Sequence, residues 1–424
     1  MFEQRRAKRT EIDIESTLLC GICIFIVSLL FLRDAMGMYV NKWIFLIILA
    51  PALLLMSERN MMILWAFIMP LYVGLPGNYL TLTITVRFAL NYIVRGLKLA
   101  EPTLFILVLL TAIYILAQNM FYGITSIFRN IFVVELIIAY VVFCSDTKSY
   151  FKSMYTAYAT GIAAVGVIML AYTLRIYGIQ ELFSAANRLG STARSDTMTV
   201  IIDSNYYGTY VIASISIGWL LLQKNRTTYF QKMWIIAAVV VALLVACIGL
   251  SRSFILVLAL WTMMVILSTR KLSHKILFIG VCVCVAILVI NLIPGAVDAI
   301  IERFQSDDME GGNGRVEKIL LYANEWLSSA GKLLFGVGLA GCVAHCMQAQ
   351  YFFGLGIAGS CMFAAMGCCY WNRAKQLRWG RPSFEYVIPA VSVQIMAASV
   401  PIAQSLTFMM PVFMTVLAYK EISE

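Results

Sequence analysis

Apolar segments of similar length recur along almost the whole chain and are separated by short polar stretches. A helix that crosses the hydrocarbon core of a bilayer needs about 20 apolar residues. The predicted crossings are 17–33, 39–56, 61–77, 82–98, 102–120, 125–144, 153–173, 205–222, 233–250, 253–269, 275–293, 343–370, 384–401 and 403–419. This pattern predicts about fourteen transmembrane helices, with twelve as the alternative, because the fourth segment carries Arg87 and Arg95 and is weakly apolar. Membrane-barrel strands would need period-2 alternation, which is absent, so the expected fold is all-α and polytopic.

Composition agrees with the hydropathy pattern. Of 424 residues, 61% are apolar and only 13% are charged, and the mean hydropathy is +0.86. Soluble chains average roughly 45–50% apolar and about 25% charged residues. A soluble core of this size has no room for such an excess, so the composition excludes a soluble enzyme and a disordered chain.

The net charge of +10 is explained by orientation in the membrane. Short cytoplasmic loops of membrane proteins are rich in Lys and Arg. With the N-terminal Arg5, Arg6, Lys8 and Arg9 in the cytoplasm, most of the 32 basic residues fall on the cytoplasmic side. Both termini are therefore expected in the cytoplasm, and the charge implies no nucleic-acid partner.

Two connections are longer than the others, and both are expected on the outer face: 174–204 and 294–342. Long ordered loops commonly carry function. We therefore divide the chain into N-terminal transmembrane helices, 1–173, and a second transmembrane region, 174–424, that contains both loops. Any chemistry is expected on the outer face of the membrane.

Four polar stretches face outward in this topology. They are Asp203-Ser204-Asn205 at the start of the eighth helix, Ser251-Arg252 in the tight turn between the ninth and tenth, Arg303 and Arg315 in the long loop, and Gly336-Val337-Gly338 before His345, Gly356 and Gly359. Arg252 has almost no loop to carry it away from the bilayer, so its guanidinium needs an anion or a wet cavity, or else snorkels to the headgroups. Arg315 stands beside flexible glycines, where a solvated loop charge is the alternative. Two converging outer arginines would match the oxygens of a lipid-linked phosphate.

His345 is the only histidine expected on the outer side. A neutral imidazole there can accept a proton, and a polar residue at a helix end is the alternative interpretation. With a single outer histidine and no CxxC pair that recurs at zinc-ligand spacing, no metal site is expected. Gly356 and Gly359 lie three residues apart on the helix that begins at His345. This spacing predicts close packing of that helix against a neighbour. Cys342 and Cys346 lie one turn apart and either pack or form a disulfide.

Together these stretches resemble the O-antigen polymerase and O-antigen ligase superfamily of bacterial membrane glycosyltransferases. The family shows an Asp-x-Asn at the start of a span, a Ser-Arg turn between two spans, and then an outer-loop Arg, a Gly-x-Gly and a His. The matching residues here are Asp203-Ser204-Asn205, Ser251-Arg252, Arg315, Gly336-Val337-Gly338 and His345. The ligase pattern places Asn, Ser or Gln directly after the His, where this chain has Cys346, but the spacing to Gly356-Ile357-Ala358-Gly359 is kept. The resemblance covers residues 195–370.

The resemblance implies a transfer without metal or cofactor on the outer face of the bacterial cytoplasmic (inner) membrane. The donor would be a glycan on undecaprenyl pyrophosphate. The acceptor would be another lipid-linked repeat unit in a polymerase, or the lipid A core in a ligase. By similarity, Arg252, Arg315 and Arg303 would bind the pyrophosphate, and His345 would be the general base. Asp203 is the alternative candidate for the base, or for a residue that orients an arginine.

The remaining motif residues are expected to orient those groups: Asn205, Ser251, Gly336, Gly338, Gly356 and Gly359. Their order along the chain and their shared side of the membrane make the match more specific than any one of them alone. The expected site is therefore an outer pocket built from several helix ends.

Polymerase is favoured over ligase because Cys346 departs from the ligase pattern and the extra N-terminal spans suit the variable polymerases. The product would be O-antigen, capsule or exopolysaccharide, and the expected partners in the bilayer are a chain-length regulator and a flippase. An oligosaccharide ligase acting on protein is a related alternative. A transporter or flippase of the same lipid-linked oligosaccharide is the alternative of another class. Transporters commonly show internal repeats and paired broken helices near the midplane, and the sequence has no clear half-to-half symmetry.

Overall fold

The computed structural model describes most of the N-terminal two thirds of the chain and part of the remainder. The described residues are 2–95, 101–124, 131–144, 150–179, 204–223, 228–249, 251–269, 315–339 and 341–376 apart from 343 and 345, with scattered positions in 272–305 and 391–396. The described part is 88% helical and contains no strand. The all-α prediction is confirmed for these residues.

Thirteen helices can be followed through the described segments. They are α1 (Phe2–Leu30, continued by a π-helical segment, Phe31–Ala35), α2 (Trp43–Leu55), α3 (Glu58–Ile68, continued by a 3-10 segment, Met69–Gly74), α4 (Gly77–Arg95), α5 (Pro102–Phe121), α6 (Ile131–Cys144), α7 (Phe151–Tyr177), α8 (Ser204–Gln223), α9 (Tyr229–Ile248), α10 (Arg252–Ser268), α11 (Arg315–Leu327), α12 (Ala330–Phe335) and α13 (Met347–Gln376).

Five of these helices are long and apolar enough to cross a membrane. They cover Ile14–Ala35, Pro102–Phe121, Phe151–Tyr177, Tyr229–Ile248 and Met347–Cys369. Two shorter apolar helices, α2 and α10, accompany them. The crossings predicted at 384–401 and 403–419, and most of 275–293, lie outside the described residues, so the total of fourteen or twelve stays a prediction.

Helix α7 lies at the centre of the described bundle, where it packs against α3 and α9. Two glycines permit this close packing. A Cβ on Gly161 would overlap the carbonyl oxygen of Phe67 in α3, and one on Gly166 would overlap the hydroxyl of Tyr207 in α8. Small residues let neighbouring helices approach closely in a membrane, where packing replaces the hydrophobic driving force.

Polar contacts join the first and third helices at two levels. The backbone N–H of Ser57, the N-cap of α3, donates to Glu15 Oε1, midway along α1, at 2.5 Å. At the other end of α3, Arg33 Nη2 donates to the carbonyl of Gly74 at 2.7 Å. Helices α1 and α3 therefore run in the same direction, as alternating crossings with α2 between them require.

Candidate functional site

The Asp-x-Asn and Ser-Arg motifs meet at one end of the bundle. Ser251 Oγ donates to Asn205 Oδ1 at 2.6 Å, although the two residues are 46 positions apart. Both are buried. Ser251 is also the N-cap of α10, where its Oγ accepts the N–H of Phe254 at 3.3 Å. One hydroxyl thus ties the first turn of α8 to the start of α10.

Arg252 is held at this junction as the first residue of α10, and it is partly buried. The turn before it is tight, since α9 ends at Ile248 and α10 begins four residues later. A Cβ on Gly249 would lie 3.5 Å from Cβ of Ser204, so the turn sits against the start of α8. The predicted short turn is confirmed, and the backbone around Arg252 is fixed by its neighbours.

The Gly-x-Gly motif forms a second polar cluster, here called the glycine clasp: residues 335–339 together with 353–356. Val337 N–H donates to the carbonyl of Phe353 at 2.9 Å, and Gly338 N–H donates to that of Gly354 at 3.0 Å. The loop before α13 therefore runs alongside the first turns of α13 and is bonded to them through the backbone.

Glycine is required in the clasp by both conformation and space. Gly336, Gly338 and Gly356 have φ of 83°, 96° and 66°, in the left-handed region that side chains with a Cβ disfavour. A Cβ on Gly336 would overlap the carbonyl of Gly354, and one on Gly356 would overlap backbone atoms of Gly336 and Leu334. The two segments of the clasp thus touch through bare backbone.

Helix α13 is broken at Gly356, and this differs from the sequence prediction. A pair of packing glycines on one continuous helix was expected, but Gly356 has non-helical backbone angles (φ 66°, ψ −172°). Gly359 does serve the predicted role, since a Cβ there would lie 2.9 Å from the ring of Tyr114 in α5. The physical reason for the break is the clasp, whose backbone occupies the space that a regular turn with a Cβ would need.

Three polar side chains hold the clasp in place, two of them from α5 and the third from Tyr122, its C-cap residue. Gln118 Nε2 donates to the carbonyls of Phe335 (2.5 Å) and Gly354 (2.7 Å), and its Oε1 accepts the N–H of Leu339 at 3.2 Å. The other two side chains are Tyr114, with Oη 2.8 Å from Phe335 O and 2.5 Å from Leu355 O, and Tyr122, with Oη 2.8 Å from Gly336 O. An irregular backbone in an apolar setting needs such partners, because every unpaired carbonyl there is costly.

No motif in the sequence pointed to these three side chains. Tyr114, Gln118 and Tyr122 recur every four residues, so they share one face of α5. A polar stripe on an otherwise apolar membrane helix is the signal that could have identified the face, although its partners lie more than 200 residues away.

A buried ion pair was also missed. Arg33 Nε and Nη2 donate to the two carboxylate oxygens of Asp34 at 2.7 and 3.1 Å. The guanidinium also lies 5.1 Å from the ring centroid of Phe45. Both residues lie in the π-helical segment that ends α1, and Asp34 is only 1% exposed. Removing one partner of such a pair costs about 3–5 kcal/mol, because the other charge is left buried.

Other predicted site residues fall outside the described residues. Asp203, Arg303 and His345 belong to this group, and the side chain of Arg315 does too, although its backbone begins α11. The structure thus brings Asn205, Ser251 and the start of α10 together in one cluster. It brings α5 and the four predicted motif glycines together in a second cluster; these are Gly336, Gly338, Gly356 and Gly359.

Cys342 packs as a free thiol in the loop before α13. It is fully buried against Val337 and Ala344 and is not in a disulfide, and Cys346 is also free. Burial raises the pKa of Cys342 from 9.0 to about 12, and the nearby negative charge of Glu325 adds to the rise. The folded protein therefore holds this proton more tightly than the unfolded chain does.

This burial predicts the pH dependence of thiol alkylation and of stability. Partly exposed Cys346 should react with a small maleimide at about pH 8, while Cys342 stays protected. The stability that Cys342 contributes is complete below pH 9 and is lost as the pH rises towards about 12. Peptide mass spectrometry of alkylated protein measures both sites. Equal modification of Cys342 and Cys346 at about pH 8 would show that the loop before α13 is open and that Cys342 is not protected.

The described residues contain no group of three or more His, Cys, Asp or Glu side chains that could hold a metal ion. The apolar helices define the class of the molecule, which is an α-helical membrane protein. Comparisons with models of protein families, with curated proteins and with solved structures find no match for this chain.

Proposed function

We propose that the protein is a polymerase of lipid-linked oligosaccharide repeat units on the outer face of the bacterial cytoplasmic membrane. The observation that carries the proposal is the hydrogen bond between Asn205 and Ser251. It joins the Asp-x-Asn and Ser-Arg motifs of the resemblance at one membrane end and fixes the backbone from which Arg252 projects. Two motifs that are unrelated in sequence thus belong to one polar cluster.

In the proposed reaction, a hydroxyl of the acceptor glycan attacks the anomeric carbon of the donor glycan. The new glycosidic C–O bond forms as the bond to the pyrophosphate oxygen breaks, and undecaprenyl pyrophosphate leaves with the bonding electron pair. His345 takes the proton of the attacking hydroxyl. The product is a longer glycan on the acceptor lipid, and no oxidant or reductant is consumed.

The arginines stabilise the leaving group. Negative charge accumulates on the pyrophosphate as the bond breaks, and guanidinium groups offer forked donors that match its oxygens. Arg252 supplies this charge from the start of α10, and Arg315 and Arg303 supply it from the long loop. The N-terminus of α10 adds the favourable end of its helix dipole.

The glycine clasp supports the proposal by a different route. It fixes residues 335–339 on α5, six residues before His345 in the chain. A general base must be held within hydrogen-bonding reach of the proton that it removes. A rigid loop bonded to a transmembrane helix provides such a frame.

A flippase for the same lipid is the second candidate function, and the broken helix at Gly356 favours it. Transporters use broken helices to offer unpaired carbonyls to ions or substrates. In the clasp, however, the carbonyls of Phe335, Gly336 and Gly354 accept hydrogen bonds from side chains of α5 and its C-cap. These carbonyls already accept side-chain hydrogen bonds, so they are not offered to an ion or a substrate. The helix break therefore serves to hold the clasp, and the polymerase is the preferred function.

The surface glycan of a deletion strain tests the function. Loss of the polymerase leaves a single repeat unit on the lipid core, and this is the expected result. A core without any repeat unit indicates the ligase instead. Loss of a flippase leaves lipid-linked repeat units confined to the inner leaflet, where an external glycosidase does not reach them.

The outward orientation makes a separate prediction for cysteine labelling. Ser328 lies in an exposed position between α11 and α12, and Arg59 is exposed at the start of α3. In a background where the eleven native cysteines are replaced by serine, a membrane-impermeant maleimide added to spheroplasts should modify a Ser328→Cys variant and spare an Arg59→Cys variant. Permeabilised cells provide the control, in which both react. The reverse pattern in intact spheroplasts would overturn the proposed topology.

A further inference from the structure

A lateral groove lies between α1, α7 and α9, and none of its lining residues belongs to either polar cluster. It has a volume of about 380 Å³ and an almost entirely apolar lining. Four alanines provide room between the larger side chains: Ala163, Ala164, Ala237 and Ala238. Val27 and Phe31 of α1 form the opposite wall. In a bilayer, a groove of this kind holds hydrocarbon.

One end of the groove is closed by hydrogen bonds between α7 and α9. Trp234 Nε1 donates to Thr160 Oγ1 at 2.9 Å, and Trp234 itself lines the groove. One turn further, Gln231 Nε2 donates to Thr156 Oγ1 at 2.9 Å. These contacts lie at the start of α7, which is the cytoplasmic end in the proposed topology.

The other end leads to Arg175. The groove face of α7 carries residues 160, 163, 164, 167 and 168, and the same helical stripe continues to 171 and 175. At 1.5 Å per residue, Arg175 stands about 10 Å beyond Ile168 and about 22 Å beyond Thr160. A guanidinium therefore stands above the outer end of an apolar groove.

The guanidinium of Arg175 is held in this position by its neighbours. It lies 5.7 Å from the ring centroid of Tyr172, and it packs over Gly37, where a Cβ would come within 2.6 Å of Arg175 Nη1. Gly37 has a φ of 74° and follows the π-helical end of α1. Within the described segments, no carboxylate lies in salt-bridge distance of Arg175, so its charge remains available to an anion in this part of the chain.

We propose that this groove binds the isoprenoid chain of a polyprenyl phosphate lipid, with the phosphate at Arg175. Charge and length support this occupant. The basic residue at the mouth complements an anionic headgroup. The far end of the groove, at Thr160, lies about 22 Å below Arg175, which is past the midplane of a hydrocarbon core about 30 Å thick. An ordinary acyl chain ends near that midplane, whereas a polyprenyl chain is long enough to continue.

This inference rests on the proposed function, because it assigns an entry site to the lipid-linked substrate, which the substrate leaves before its pyrophosphate binds at Arg252. Two walls of the groove, α1 and α7, belong to the N-terminal helices, for which the resemblance implies no role, and the third wall, α9, belongs to the second transmembrane region. The extra N-terminal spans therefore have a proposed task, which is to capture the lipid-linked substrate from the bilayer before it reaches the polar clusters.

Photocrosslinking tests the inference. Full-length protein in phosphatidylcholine nanodiscs is irradiated with a polyprenyl phosphate that carries a diazirine on its chain, and the modified peptides are mapped by mass spectrometry. The expected sites are in α1, α7 and α9. Ala237→Trp fills the groove and should lower the crosslinking yield about tenfold, equivalent to 1.4 kcal/mol of binding. Val240→Trp is the matched control, since Val240 lies on α9, is exposed and does not line the groove; its yield should equal that of the wild type.

Arg175→Glu tests the headgroup contact in the same assay. It should lower the yield about tenfold, and unlabelled polyprenyl phosphate should compete with the probe while phosphatidylglycerol should not. Equal competition by phosphatidylglycerol would show an ordinary lipid and would overturn the proposal. Crosslinks confined to other helices, or equal yields in the Ala237→Trp and Val240→Trp variants, would also overturn it.

The same variants separate this inference from the proposed function. Normal glycan polymerisation with no crosslink in the groove would overturn the lipid-binding proposal for the groove and would not affect the proposed polymerase function. Specific crosslinking in a protein that elongates no glycan would support the lipid-binding proposal for the groove and would overturn the proposed polymerase function. Crosslinks in the groove that disappear when each nanodisc holds two copies of the chain instead of one would show that a second copy, not a lipid, fills the groove, and would overturn the proposal.

Discussion

The Gly356→Ala variant is expected to lose glycan polymerisation and to unfold at lower temperature than the wild type. Gly356 has a φ of 66°, and placing a residue with a Cβ in this left-handed region costs about 1–2 kcal/mol. The new methyl group would also overlap the backbone of Gly336 and Leu334. Because both obstacles are backbone, neither can rotate away, and we expect a total loss of about 3 kcal/mol or more.

Gly367→Ala is the matched control for this change. Gly367 lies in the same helix, and a Cβ there meets nothing within 4 Å. Alanine is favoured over glycine inside a helix by about 0.5–1 kcal/mol, so this variant should be as stable as the wild type or slightly more so. Thermal unfolding in detergent, followed by circular dichroism, measures both variants. Equal melting temperatures for Gly356→Ala and Gly367→Ala would contradict the clasp.

The Arg252→Lys variant is expected to reach the membrane at normal levels but to lose polymerisation by about 100-fold or more. An ammonium keeps the charge, yet it lacks the forked donors that contact two phosphate oxygens at once. The fold should survive, because Ser251 still caps α10 and still bonds Asn205. Polymerisation is measured as the length distribution of the surface glycan.

Arg59→Lys serves as the control for Arg252→Lys. Arg59 is exposed at the start of α3, on the face assigned to the cytoplasm, and the conservative change there should leave glycan length unchanged. If the Arg252→Lys strain makes glycan of normal length, Arg252 is an interfacial anchor and has no part in binding the pyrophosphate. If both strains lose their glycan, the loss reflects protein level, which immunoblotting of membranes reveals.

The membrane helices could be predicted from the sequence because their physical cause is local. A crossing needs a run of about 20 apolar residues, and such runs are visible one at a time. The turn between α9 and α10 followed directly, since no polar loop separates the two apolar runs. The meeting of Asn205 and Ser251 could be anticipated only as a shared side of the membrane, because their hydrogen bond depends on how α8 and α10 pack.

The glycine clasp could not be predicted, because its cause is tertiary. Gly356 and Gly359 have the spacing of packing glycines on a straight helix, and only the presence of Gly336 against Gly356 shows that the helix must break. The role of Gln118 depends on three partners more than 200 residues away. The local sequence around Arg33 and Asp34 does not indicate burial, and only the packing of Phe45 and Gly74 around them shows that they are buried.

Reconstitution tests the central claim most directly. Purified protein in proteoliposomes is given a single undecaprenyl pyrophosphate-linked repeat unit, and the lipid fraction is resolved by electrophoresis and mass spectrometry. The account predicts a ladder of longer glycans on the lipid, spaced by one repeat unit, together with released undecaprenyl pyrophosphate and no ladder from the Arg252→Lys protein. A repeat unit that stays unextended with wild-type protein, or that only changes leaflet, would contradict the account.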